Sequence, residues 1–276
     1  MHIIQTITGV HDRHLSAPFT SRQTLSEIRH LAQAASLFNE SLSRTVKDSD
    51  RDPLWIAAAM LGITAFAWID ATSPEEAWPL AEANSSDLDW IRMSELKPAV
   101  WDLTNPSRPS SAFSGLHANY ATLGSSKSTG RVEDVPIAFV ELFNIDKCSN
   151  AENNPYHAAV IGLSPLLQVN CDRPNILRFL SFISHLYGRF KKLLEAKDPR
   201  ALLLLAYWFA KVCKSVWWIE RRSIMEGRAV CSYLETYHPE KKRIQGMLQI
   251  PKRILAAAAL APLSSIPATG KDYCYH

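Results

Sequence analysis

Chemistry in a sequence of this kind has to come from histidines, carboxylates, arginines and aromatic hydroxyls, and their spacing limits what each can do. His11 and His14 lie three apart, a metal-ligand spacing, but no acidic or cysteine companion adjoins them, so they read as a surface pair. His157 falls in the first turn of a predicted helix. His185 falls near the end of another, where the helix dipole favours an imidazolium. Tyr207 stands in an apolar run, and with His185 it is the candidate polar donor for a reacting or bound group. Spacing alone assigns no residue a catalytic role. The carboxylate pairs Glu75/Glu76, Asp87/Asp89 and Glu133/Asp134 lie at helix starts or in a loop, where capping and solvation account for them. Arg221-Arg222 and Lys241-Lys242-Arg243 can touch phosphates. Two short clusters without interleaved aromatics read as solvated faces.

One constellation is larger. Trp55, Met60, Phe66 and Trp68 share a single apolar segment, and Phe179, Phe182, Tyr207, Trp208, Phe209, Trp217 and Trp218 follow in later ones. Tryptophan and tyrosine carry an apolar body with a polar tip, which suits either a packed core or the wall of an apolar pocket. Trp55, Met60, Phe66, Phe182, Tyr207, Trp208 and Trp217 are therefore the candidate ligand-binding set. The strings GxSxG, GxxxxGK[ST], GxGxxG and HExxH are absent, and no CxxC pair occurs among five cysteines. Neither a cofactor nor a metal is assigned.

The elements that must position these residues are helices. A short polar side chain followed by proline recurs at Asp52-Pro53, Ser73-Pro74, Asn154-Pro155 and Asp198-Pro199, each a helix-start signal. Spacings of three and four put Leu25, Ile28, Leu31, Ala35, Phe38 and Leu42 on one stripe of a helix over 21–46. The segment 53–69 is apolar almost all round and predicts a central buried helix. A helix from about Asp87 is expected to kink or split at Pro98. Further helices are expected over 136–143, 155–169, 175–187, 199–218 and 220–237, with two short apolar stretches near Ile244 and Leu255. Between 105 and 133 the composition turns to Ser, Gly, Pro and Thr, which predicts a surface loop insertion. No alternation of period two persists, so the expected fold is all-α, a single helical domain over 1–276 with a hydrophobic pocket.

Composition bounds the partners. Thirty basic and 27 acidic residues leave a net charge of +3, which argues against direct nucleic-acid binding. The longest apolar run, Ala201 to Ala210, is too short to span a membrane. The first residues carry charge and histidines where a secretory signal would be apolar. The chain is expected to be cytoplasmic or nuclear and not secreted.

Several stretches resemble the C-terminal regulatory region of fungal zinc-cluster transcription factors of the sterol uptake control type. They are HDRHLS at 11–16, DPLWIAAAMLGITAFAWIDATSPEEAWPL at 52–80, DLDWIRMSELKPAVWDLT at 87–104, NNPYHAAVIGLSPLL at 153–167 and the run at 179–222. The resemblance implies an all-helical domain whose deep apolar pocket takes a sterol or similar lipid, and which can self-associate. That family's six-cysteine zinc cluster is absent here, and helices expected before HDRHLS are missing, so no DNA-binding domain is expected. Two functions follow. One is a binding protein for a hydrophobic small molecule of sterol or terpenoid kind, acting without its own DNA-binding part, as a homodimer or as a heterodimer with a related regulator. The alternative is a repurposed pocket acting as a cofactor-free cyclase or isomerase, of pericyclic or Diels-Alder type, on a terpenoid or polyketide intermediate. Such a site accelerates a reaction by holding a reactive shape.

Overall fold

A computed structural model describes residues 1–17, 19–115, 131–172 and 174–260. Every regular element among them is helical. The chain opens with α1 (His2–Ser16), where the sequence reading places no element. Next come α2 (Leu25–Leu42) and α3 (Asp48–Ala67). Pro98 does divide its segment, into α4 (Asp89–Glu95) and α5 (Lys97–Thr104). After the insertion come α6 (Ile137–Phe143), α7 (His157–Leu167), α8 (Ile176–Ser181) and α9 (Arg189–Glu195). The last three are α10 (Pro199–Val212), α11 (Trp217–Tyr237) and α12 (Lys242–Leu260). Of the predicted insertion, residues 105–115 form turns and 116–130 lie outside the described residues.

The helix at the centre is α10, and this corrects the expectation for 53–69. Ten consecutive residues of α10, Ala201 to Ala210, are buried on every side. It packs against α11, α12 and α7. Asp198 caps it as predicted, its Oδ1 accepting from the amides of Arg200 and Ala201, both at 3.0 Å. By contrast α3 keeps Ile56 exposed and Met60 half-buried. It begins at Asp48, a turn before Pro53, with the Asp50 carboxylate accepting the Lys47 amide. Asp52, read as the cap, instead reaches the insertion: it accepts from Ser111 Oγ (2.8 Å) and the Ala112 amide (2.9 Å) and pairs with Arg108 (2.8 Å). The segment after Ser73-Pro74 makes only a 3₁₀ turn, Pro74–Glu76.

The molecule has two layers. In the C-terminal layer α10, α11 and α12 pack on one another; in the N-terminal layer α1, α2 and α3 do so, and α3 docks on α11. Arg222 on α11 fastens them. Its guanidinium donates to the carbonyls of Phe66 (2.7 Å), Trp68 (2.7 Å) and Ala65 (3.3 Å) at the end of α3 and pairs with Glu226. The last carbonyls of a helix have no partner within it, so a cation there meets both their lone pairs and the dipole. Arg221 and Arg222 are thus buried rather than on the solvated face expected for them.

Candidate functional site

The sequence-predicted aromatic set divides in three. Phe66, Phe182 and Trp208 come together in the core. Trp208 stacks on Trp90 of α4 at 5.8 Å between ring centroids, with 5° between the planes, and on Phe182 at 5.9 Å. Phe66 meets Trp90, Trp208 and Trp218 edge-on at 4.9, 6.0 and 5.7 Å. The Trp208 indole donates to the Phe179 carbonyl (2.9 Å), so its polar tip is satisfied by backbone. These rings occupy one another's space. Trp55 lies elsewhere, edge-on to Trp101 at 5.0 Å. Trp217, at the start of α11 rather than the end of α10, meets His11 of α1 at 4.7 Å.

The two polar candidates are both committed to neighbours. Tyr207 donates its hydroxyl to the Met247 carbonyl of α12 at 2.9 Å, and burial pushes its pKa up to about 12. Pro251 explains the bond: it has no N–H to return to residue 247, four positions earlier, and Tyr207 supplies the missing donor. His185 lies in a 3₁₀ turn (Phe182–Leu186) against Gly162 of α7; a Cβ at Gly162 would fall inside its ring. Burial lowers its pKa, so the neutral imidazole is favoured, not the dipole-stabilised imidazolium expected from sequence.

An open apolar groove lies in the N-terminal layer, between α1, α2 and α3, with a volume of ≈ 580 Å³. Ile3 of α1 and Leu54, Ala57 and Leu61 of α3 form its floor, and Leu37 and Phe38 of α2 its wall. The rim is polar, with His2, Ser41, Arg44, Lys47 and Asp50. The way α2 is attached makes the groove. Its first turn is pinned: Thr24 Oγ1 accepts the Glu27 amide (3.1 Å) and Glu27 accepts the Thr24 amide (2.6 Å), a capping box. The same Glu27 carboxylate receives Arg13 Nε of α1 at 3.1 Å, both side chains buried. His30, a turn on, faces His2 with Nδ1 atoms 3.0 Å apart, so the two rings share one hydrogen. Glu27 is the only buried residue of the helix. Leu37 is 45 % exposed.

The groove and the predicted set meet on α3 alone. Trp55 follows Leu54 and Met60 precedes Leu61, so these two predicted residues border the floor in sequence without lining it. Of the stripe Leu25, Ile28, Leu31, Ala35, Phe38 and Leu42 on α2, Phe38 alone lines the groove, and Leu25 is 72 % exposed.

Among the described residues, no group of three or more His, Cys, Asp or Glu side chains is placed to hold a metal ion, and no helix is long and apolar enough to cross a membrane. Comparison with protein-family models, with curated proteins and with solved structures finds no match to the chain.

Proposed function

We propose that the chain binds a hydrophobic small molecule of terpenoid or sterol size in the groove between α1, α2 and α3. One observation carries the reading: an open groove of ≈ 580 Å³ with an aliphatic floor and a polar rim. Ligand sites for drug-sized molecules run from about 300 to 1,000 Å³ and combine apolar walls with a few polar groups. Burying roughly 300 Å² of apolar ligand surface at about 25 cal/mol per Å² supplies about 7 kcal/mol, before association costs. The sequence resemblance to the regulatory region of sterol-responsive fungal zinc-cluster factors points to the same class of ligand. In that reading the chain signals through a partner, a second copy or a related regulator.

The test is mass spectrometry of small molecules retained by the purified protein after incubation with sterols and a fungal terpenoid and polyketide extract, with heat-denatured protein as control. Ala57→Trp fills the groove floor. The expected result is an unchanged molecule retained by wild type and lost at least tenfold in Ala57→Trp, with the helical circular-dichroism signal intact. Retention that survives Ala57→Trp would move the site elsewhere. A consumed compound replaced by an isomer of equal mass would establish the cyclase reading instead.

A further inference from the structure

A second cleft, narrow and chemically different, lies toward the C-terminal end of α1, where that helix meets α11. Arg13, His14, Arg221, Trp217 and Trp218 line it, with Val10 and Ala67 closing the sides, and its volume is ≈ 10 Å³. That is at the lower limit for one water-sized guest. Two guanidiniums converge on it. Arg13 is 8 % exposed and Arg221 6 % exposed. Three of their nitrogens, Arg13 Nη2 and Arg221 Nε and Nη1, are fully buried and have no hydrogen-bond partner among the described residues.

Arg13 is paired with Glu27, whereas Arg221 makes no ion pair of its own among the described residues. Arg221 Nη2 donates to the carbonyls of Ser21 (2.7 Å) and Ala71 (3.0 Å), which satisfy hydrogens and neutralise nothing. Each carboxylate near it is engaged with another group. Glu27 holds Arg13 Nε and the Thr24 amide; Asp70 pairs with Arg22 at 3.3 Å; Glu220 faces His14 at 3.7 Å. Burial first, and then the Arg13 charge, pull the Arg221 pKa down to about 10 against the opposing pull of Asp70 and Glu27, and burial likewise lowers that of His14, with His11 and Arg221 adding to it. A buried cation that makes no direct ion pair costs several kcal/mol. Water in the cleft would satisfy the three N–H groups without placing a negative charge beside Arg221. The two indole walls lower the local dielectric, which strengthens any attraction inside.

We propose that this cleft is a binding site for a small monovalent anion of chloride size, held by Arg13 Nη2 and by Nε and Nη1 of Arg221. The anion locks α1 to α11, and hence the N-terminal layer to the C-terminal one. The site is separate from the groove and stands whether or not the groove takes a ligand.

The test compares thermal midpoints of the full chain in sodium gluconate, too bulky for the cleft, with those on replacing gluconate by chloride or bromide at constant ionic strength. The expected result is a saturating rise of about 5 °C by ~0.1 M chloride, as ligand linkage requires. Arg221→Met is expected to abolish the rise. Because that change also strips donors from Ser21 and Ala71, a measurement on wild type stands beside it. Chloride-35 line broadening should grow with protein and be displaced by bromide with the same midpoint as the thermal titration. Equal midpoints in all three salts, or a rise linear in salt with no line broadening, would overturn the proposal and leave water as the occupant.

Discussion

Tyr207 shows how a residue chosen for its chemistry can be held by structure. Its hydroxyl serves a backbone carbonyl that Pro251 leaves without a donor. Tyr207→Phe is therefore expected to cost about 1–2 kcal/mol, the penalty for a carbonyl left without its donor. Tyr207→Phe combined with Pro251→Ala should recover most of it, because the new alanine N–H can close the helical bond to Met247. A double-mutant cycle of urea unfolding measures the coupling. Additive losses would show that Tyr207 does not stand in for the missing amide. Glu226 gives a second residue-scale prediction. Burial raises its pKa from 4.5 to about 7 against the pull of Arg222. Between those values the folded chain keeps a proton that the unfolded chain has released, so this group's contribution falls as pH rises from about 4.5 to about 7. Burial of His14, His157 and His185 acts with the opposite slope, since their lowered pKa values make the fold lose stability as pH falls below 6.5. Glu226→Gln isolates the acid. Relative to wild type, the variant should gain about 3 kcal/mol between pH 4.5 and 8. A difference that stays flat across that range would place the Glu226 pKa at its ordinary value.

At the scale of elements, local signals were legible where the partner lay within one turn. Asp198-Pro199 gave the start of α10 and Pro98 the division of α4 from α5, because capping and proline sterics act through neighbouring backbone. The string Thr24-Leu-Ser-Glu27 is a capping-box signature that sets the start of α2 at Leu25 rather than Ser21. What could not be read was anything decided across the chain. Asp52 left its cap role for Ser111, Ala112 and Arg108 some 60 positions away. Arg221 and Arg222 look like a solvated pair until α3 and α1 are placed over them. The groove likewise exists only through the angle at which α2 leaves α1. The Arg13–Glu27 pair fastens the first turn of α2 to α1, and Glu27→Gln tests how much that fastening contributes. The amide keeps the capping acceptor and removes the charge opposite a buried guanidinium, a loss of about 3 kcal/mol. A thermal midpoint unchanged within error would mean that α2 is held by its apolar contacts instead.

For the molecule as a whole, burial is unequally shared, and that inequality predicts how it opens. Ala201 to Ala210 of α10 are shielded on every side, while Glu27 is the one buried residue of α2. Hydrogen exchange reports the free energy of the smallest opening that frees an amide, and thinly packed elements open on their own. Amides in the middle of α2 should therefore exchange at least ~100-fold faster than those of α10, whose exchange requires global unfolding. A molecule seated in the groove touches α1, α2 and α3 and nothing of α10, so it should slow α2 by the factor one plus its concentration over Kd. The chloride-sized anion acts at the other end of α1. It should slow α1 relative to the C-terminal layer and leave the last turns of α2 unchanged, which separates the two ligands in one experiment. If α2 and α10 exchange together at a single rate, the layers form one cooperative unit. The groove is then a rigid feature of the fold, and its occupancy must be read from retained ligand instead.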